Sequence, residues 1–503
     1  MPASQPNIAK HRKPCDLPSP NSTKSFWHRE PSALLLGHRS TRSPPETADV
    51  VVVGSGITGA SVAHHLLTTC DSGHKLDVVL LEAREACWGA TGRNGGHCQP
   101  ILFEHPHDSS IGHFELKNFE TLQSLIDEKK IDCEFEVQPG VRGIFSRGHL
   151  DQAELAMHIV QNNAPELASR MKLVVDRDEL TGLRLPTALG AIVTNVAARM
   201  WPYKFVSRIL EDLVTSTKLQ GTFNLQTLTP VTKLAPAAEE FDADRVLVTT
   251  NRGIIKAKKV VLATNAYTSH LLPGMSDLIV PCRGQMSALV PFPSISGEDR
   301  LKTSYGFLGD GLDDYLIQRP NERGAHLMFG GGRQHGPSMG TTNDNQLDEK
   351  TASYLRGRLV QVFNLSEGGG KTSWAEMDAT HEWTGIMGYS RDERPWVGAV
   401  PQNFSPPLPS GSTYIAAGFT GHGMPNTWLC GRAAAIMVKE AFAGASEDEA
   451  SAAASKETGL PEAYKISEKR IDAAMQLEGV EAKDWAEMER GERARRPSTS
   501  GFA

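Results

Sequence analysis

Long apolar runs are absent from this chain: its most continuous stretches, such as residues 48–53 with Asp49 inside them, fall far short of the ~18 residues that suggest a membrane span. Excess positive charge is absent too. The 52 Lys and Arg against 59 Asp and Glu give a formal net charge of -7, and with no broad basic footprint a nucleic-acid partner is not expected. Cysteine is sparse: Cys15, Cys70, Cys87, Cys98, Cys133, Cys282 and Cys430 are scattered, odd in number and free of CxxC or metal-ligand spacing. No metal site is expected, and reduced thiols in a cytoplasmic setting fit better than a disulfide framework. Residues 1–48 hold one apolar cluster, 33–36, too short for a secretory signal. Their few acidic residues suit a mitochondrial presequence, but Pro14, Pro18, Pro20 and Pro31 oppose a single amphipathic helix. The end, Ser500-Gly501-Phe502-Ala503, is not a Ser-Lys-Leu type of peroxisomal address. Repeats of 20 to 50 residues are missing as well.

What is present is an ordinary globular composition, 39% hydrophobic and 22% charged, in 503 residues, enough for two or three domains. Residues 50–53 form a continuous β-branched run, the pattern of a parallel strand buried on both faces. Glycines and a helical stretch, 58–69, follow at once, and 75–81 reads as the next strand, ending in Glu82. Residues 114–129 carry apolar positions on one helical face. A hairpin is predicted around Asn251-Arg252-Gly253, and a sheet-rich region with glycine turns from about 278 to 398. Residues 414–417 read as a strand and 428–441 as an apolar helix returning to the first domain. The Ala, Ser and Glu-rich stretch 443–459 reads as a linker, 462–495 as a charged helical tail, and His11-Arg12-Lys13 as a disordered arm.

Within the first unit, Gly54-Ser55-Gly56-Ile57-Thr58-Gly59 is a GxGxxG with a strand before it and a helix after it. Gly54 permits the tight turn, Gly56 lets the backbone approach a pyrophosphate, and Gly59 lets helix and strand pack closely, with the anion on the helix N-terminus. Glu82 lies 23 residues after Gly59, where a carboxylate accepts from ribose hydroxyls and repels a 2'-phosphate, which disfavours NADP. A second glycine loop follows: Gly89-Ala90-Thr91-Gly92-Arg93-Asn94-Gly95-Gly96-His97. A plain NAD site has no need of it, whereas FAD gains backbone N–H groups and Arg93 against its pyrophosphate and flavin.

These residues resemble the D-amino-acid oxidase superfamily of FAD-dependent oxidoreductases, in particular its sarcosine oxidase and gamma-glutamylputrescine oxidase-like members. The resemblance also rests on Trp201-Pro202-Tyr203, Pro230-Val231-Thr232, Val260-Val261-Leu262-Ala263-Thr264-Asn265-Ala266-Tyr267, and residues 281–285, 329–333, 383–388 and 418–424. It covers roughly 49–442. It implies an α/β fold: a discontinuous Rossmann-like FAD-binding domain and a mixed-sheet α+β substrate domain. The boundaries are then an extension at 1–48, mainly FAD-binding domain at 49–277 with inserted substrate-domain segments, mainly substrate domain at 278–400, a return at 401–442, and linker and tail at 443–503. It also implies cofactor contacts from Ala83, Arg84, Val231, Ala263 and Thr264, with Gly421, His422, Gly423 and Met424 along the flavin ring and residues 93–97 at its other end. Gly385 stands where sarcosine oxidases carry a flavin-linking cysteine, and Arg93 where dimethylglycine dehydrogenase-like relatives carry a linking histidine. Non-covalent FAD is therefore expected, with His97 close enough to keep a link open.

The implied chemistry is hydride transfer from the carbon beside a neutral amine to flavin N5, giving an imine, with O2 or another acceptor reoxidising the flavin. His97, Trp383 and His422 are candidates for orienting the substrate. Arg333 is a candidate for binding a substrate carboxylate, and Tyr315 a weaker one. His381-Glu382 and Arg391-Asp392-Glu393-Arg394 read as solvated turns. Two rivals remain: an NAD-dependent dehydrogenase, and a non-catalytic flavin-binding protein whose tail recruits a partner. Substrate identity and oligomeric state are not legible.

Overall fold

Strand Thr47–Val53 lies between two parallel neighbours, Leu76–Leu81 and Gly253–Leu262. Both its faces are covered, which is why Val50, Val51 and Val52 are all fully buried. Alternate residues serve opposite cores. Val50, Val52, Val78 and Leu80 pack with the helices Ile57–Thr68 and Thr427–Phe442, while Val51, Val53, Val79 and Leu81 pack with Val231, Val248 and Ile415. In the computed structural model, which describes residues 12–68, 75–237, 244–363, 376–404 and 407–480, this strand is the centre of an eight-stranded sheet. Its order is Trp396–Ala399, Thr413–Ala417, Gly253–Leu262, Thr47–Val53, Leu76–Leu81, Gly221–Gln226, with Val231–Pro236 and Val246–Thr250 added through Gly253–Leu262.

The second sheet has nine strands and is antiparallel except where Glu136–Ile144 pairs with Ser304–Gly309. At one end Ala379–Ser390 pairs with Ile279–Leu289 over eleven residue pairs, and at the other His97–Cys98 closes on Gly190–Arg199. The chain alternates between the sheets, so the Rossmann-like half is discontinuous, as the sequence suggests. Among the described residues no helix is long and apolar enough to cross a membrane.

Three expectations fail. The basic run 11–13 is not a disordered arm where it is described: the Arg12 N–H donates to Asp277 Oδ1 at 3.2 Å, and farther along Phe26 and Trp27 are fully buried. Trp27 packs 5.5 Å from Trp201, whose indole N–H donates to the Trp27 carbonyl at 2.9 Å. Two adjacent aromatics bury too much apolar surface to stay in water; His11 lies outside the described residues. The stretch read as a linker holds helix Glu447–Thr458, opened by a capping box between Ser446 and Glu449. Ala450 and Ala454 are buried, and the helix packs on Thr427–Phe442. Finally, of the two runs read as solvated turns, His381-Glu382 lies within strand Ala379–Ser390, where Glu382 pairs with Arg356 at 3.1 Å, and 391–394 is a turn but one held by an ion pair rather than by water. The Arg470 Nε–H donates to Asp392 Oδ2 at 2.8 Å, the guanidinium lies 3.8 Å from the Trp396 ring centre, and helix Glu468–Met475 buries Ile471 and Ala474. The rest of the predicted tail, 481–495, and Cys70 lie outside the described residues.

Candidate active site

The GxGxxG turn is shaped by contacts within its own sheet. Gly54 has φ +104°, and a Cβ there would stand 2.6 Å from the Ala263 carbonyl oxygen; a Cβ at Gly59 would stand 1.8 Å from the Gly54 oxygen. Glu82, at the end of Leu76–Leu81, accepts from the Ser55 N–H at 3.0 Å, the Ser55 hydroxyl at 2.7 Å and the Arg84 N–H at 2.8 Å. A carboxylate has about four acceptor positions, so capacity for one hydroxyl remains. The Ile57 N–H donates to Thr91 Oγ1 at 3.1 Å, joining the first glycine loop to the second.

From this turn a cavity of 630 Å³ runs between the two sheets. Of the residues singled out from sequence, 54–58, 82–84, 89–91, Arg93, Asn94, Val231, Ala263, Thr264, 421–424, Tyr315 and Arg333 all line it. Gly59, Gly95, Gly96, His97 and Trp383 stand behind its wall. Trp383 is fully buried with its indole N–H on the Arg93 carbonyl at 2.7 Å. His97 stacks on Tyr315 at 6.1 Å; burial pushes its pKa down to about 3, so its ring is neutral at ordinary pH.

Arg93 lines the cavity but spends its donors elsewhere. Its five N–H groups are directed at five protein acceptors: the Trp88 carbonyl, the Thr384 carbonyl, Thr23 Oγ1, the Thr23 carbonyl and Ser22 Oγ. It therefore offers charge, not hydrogen bonds, to the cavity. Burial first, and then neighbouring Arg84, lower its pKa to about 10, which leaves it cationic. Asp344 sits between the two, 2.8 Å from Arg84 and 3.6 Å from Arg93, all three side chains buried.

At the far end, Arg333 donates from Nε to Asp313 Oδ2 at 2.6 Å and lies 5.0 Å from the centre of the Tyr389 ring. The Tyr315 hydroxyl accepts from the Gly95 N–H at 3.0 Å and contacts Met286 Sδ at 3.1 Å. His422 Nε2 stands 3.0 Å from Glu115 Oε1, and the other oxygen of that buried carboxylate accepts from the Ile101 N–H at 2.8 Å. Sequence reasoning missed Glu115, Tyr389 and Asp344. Glu115 sits on helix Ser109–Lys129 among ordinary amphipathic positions, and no local signal marks it.

A family model described as FAD dependent oxidoreductase matches residues 49–437, which span both sheets and every wall of the cavity outside the N-terminal segment and the last helices. The chain belongs to this family. FAD is accordingly its cofactor, and the chain is an FAD-dependent oxidoreductase. Gamma-glutamylputrescine oxidoreductase of Escherichia coli is 24% identical over 78% of this chain and 84% of its own length. Glycine oxidase of Pseudomonas aeruginosa is 24% identical over 70% of this chain and 86% of its own. Among solved structures, glycine oxidase from Geobacillus kaustophilus superposes with a TM-score of 0.61 at 16% identity, covering 79% of this chain and 95% of that one. L-proline dehydrogenase from P. horikoshii gives 0.58 at 20% identity, covering 80% and 96%. At such identities these structures speak for the fold alone.

Proposed function

We propose that this oxidoreductase oxidises a C–N bond of a small amine or amino acid to an imine. The observation that carries the reading is the single cavity joining the dinucleotide turn to Arg333, Tyr315 and Tyr389 on the second sheet. The curated relatives support it, being named for gamma-glutamylputrescine and glycine, each of which bears an amine. Residues 54–58, 82–84, 89–91, Arg93, Asn94, Val231, Ala263, Thr264 and 421–424 would hold FAD. Bound there, FAD would supply the two-electron acceptor for the oxidation, with O2 or another carrier as the final acceptor. The chain's own task is positioning. Arg333, oriented by Asp313, takes a substrate carboxylate, while Met286, Tyr315 and Tyr389 provide surface that excludes water from the amine carbon. His422 places Nε2 3.0 Å from Glu115 Oε1, between the glycines of 421–423.

Non-covalent attachment is part of the proposal. At Gly385, the position of the linking cysteine in sarcosine oxidases, a Cβ would already lie 3.0 Å from Arg93 Cβ, so Arg93 packs where that side chain would project. The six described cysteines are free, which accords with a cytoplasmic setting.

The test is an absorbance spectrum before and after acid precipitation, then anaerobic addition of a panel of amines and amino acids, then air. Flavin released into the supernatant and bleached by one panel member is the expected result; return of colour with peroxide in air marks an oxidase. Flavin that no amine bleaches sinks the substrate reading and favours a non-catalytic flavin protein.

A further inference from the structure

Residues 12–27 lie outside the span matched by the family model, 49–437, yet two of them line its cavity. At one end this segment is tied to the wall that follows Ala263-Thr264. The Cys15 N–H donates to Ser269 Oγ at 3.0 Å, and His270 Nδ1 lies 3.1 Å from the Cys15 carbonyl. At the other end it is tied to the second sheet and the second glycine loop. The Thr23 N–H donates to the Asp344 carbonyl at 2.8 Å, the Thr384 N–H to Thr23 Oγ1 at 2.9 Å, the Ser25 hydroxyl to the Gly92 carbonyl at 2.7 Å, and the Trp27 indole to the Asn94 carbonyl at 2.5 Å. Between these anchors Leu17 and Pro18 face the cavity. The grip is mutual, because Arg93 directs three of its five donors at Ser22 and Thr23.

From this geometry we infer that residues 12–27 form part of the flavin dinucleotide site: a strap running from one side of the cavity to the other that covers the bound cofactor and must lift for it to leave. The anchors explain why the strap spans both sheets. Ser269 and His270 belong to the Rossmann-like half, and Thr384 to the nine-stranded sheet. Its buried end is fixed by packing as well, since Phe26 and Trp27 are fully enclosed. Leu17 and Pro18 are only half-buried, held by the anchors on either side rather than by a core of their own. The strap therefore has a firm root at 25–27 and a roof that can open.

The experiment measures flavin release from the full-length holoenzyme, read as free-flavin fluorescence in the filtrate after dilution, together with thermal melting of the flavin-free chain. Two variants are compared with the natural protein: Leu17→Gly with Pro18→Gly, which thins the roof without touching a core residue, and deletion of residues 1–20, which removes the roof and the Cys15 anchor. Release is expected to quicken by about tenfold in the double variant, the size of losing one partly buried aliphatic contact, and further in the deletion. Melting of the flavin-free double variant is expected to stay at the natural value. Double-variant release within twofold of the natural rate overturns the inference, whatever the deletion does, because a deletion that merely unfolds the chain also loses flavin.

Discussion

The two glycine loops of this protein look alike in sequence and are built on different principles. In 54–59 the close approaches are to the loop's own sheet: Gly54 to Ala263 and Gly59 back to Gly54. In 92–96 they reach distant chain as well. A Cβ at Gly92 would stand 2.2 Å from the nearby Cys87 carbonyl oxygen but also 2.3 Å from His28 Nε2, one at Gly95 2.4 Å from the Tyr315 ring, and one at Gly96 2.2 Å from the Met200 carbonyl oxygen and 2.9 Å from the Trp27 ring. The first loop is thus a local device for turning strand into helix. The second is the place where the N-terminal segment, the Rossmann-like half and the nine-stranded sheet meet.

The contrast is sharpest in the response to one methyl group. Gly59→Ala drives a Cβ into rigid backbone between strand and helix, so neither can yield without moving the turn. A loss of more than about 4 kcal/mol, with no flavin retained after purification, is expected from melting and absorbance. Gly96→Ala meets the Met200 oxygen and also adopts φ +71°, for which a cost of about 3 kcal/mol is expected. If Gly96→Ala proved as harmless as a surface change, the second loop would not be a junction and the comparison would break.

The same difference decides what could be read from sequence. The first loop was legible because its strand, glycine turn and helix are consecutive in sequence, where spacing carries the information; its contact with Ala263, far along the chain, was not part of that signal. The N-terminal segment was not legible. Phe26 and Trp27 stand alone among polar residues with no period to follow, and their partners Asn94 and Trp201 lie 67 and 174 residues away. Two adjacent aromatics in a chain with 7% aromatics were the one available sign. Helix Glu447–Thr458 was legible in principle, since Ser446 and Glu449 have capping-box spacing; its Ala and Ser content suggested a linker instead. At the substrate end, Arg333 could be singled out by charge, but Glu115 acquires meaning only from a contact with His422 that no spacing encodes.

A third glycine run, 330–332, extends the comparison to the substrate end, and its contacts are again non-local. A Cβ at Gly331 would stand 2.0 Å from Asp314 Oδ1, and the Gly332 N–H donates to the same oxygen at 2.8 Å. The Tyr354 hydroxyl donates to the other oxygen at 2.5 Å. Burial, and then the charge of Asp313, push the Asp314 carboxyl up from its ordinary 3.8 to about 7. Because the folded-state value is raised, the protonated acid is what the fold favours. Its stabilising contribution is complete below the unfolded value and is lost as pH rises through about 7. Between pH 4 and pH 8 ionisation is expected to withdraw on the order of 4 kcal/mol. Asp314→Asn should flatten that dependence in melting curves recorded across the range; an unchanged slope would remove the acid from the account.

Arg333 follows directly on this run, and Arg333→Lys is the mildest test because it keeps the charge beside Asp313. Its Nε–H is held by Asp313, so the guanidinium plane is set before any ligand arrives. Arg333→Lys keeps the charge and loses the fixed fork. If the residue takes a substrate carboxylate, the loss is about that of one charge-assisted hydrogen bond, roughly tenfold to a hundredfold in kcat/KM, carried mainly by KM. The flavin spectrum and melting temperature should stay as they are, since Arg333 stands at the opposite end of the cavity from the dinucleotide turn. A substrate without a carboxylate should be indifferent to the change. Equal loss on both kinds of substrate would mean that Arg333 shapes the run 330–332 rather than the ligand, and the third run would then join the second as a junction.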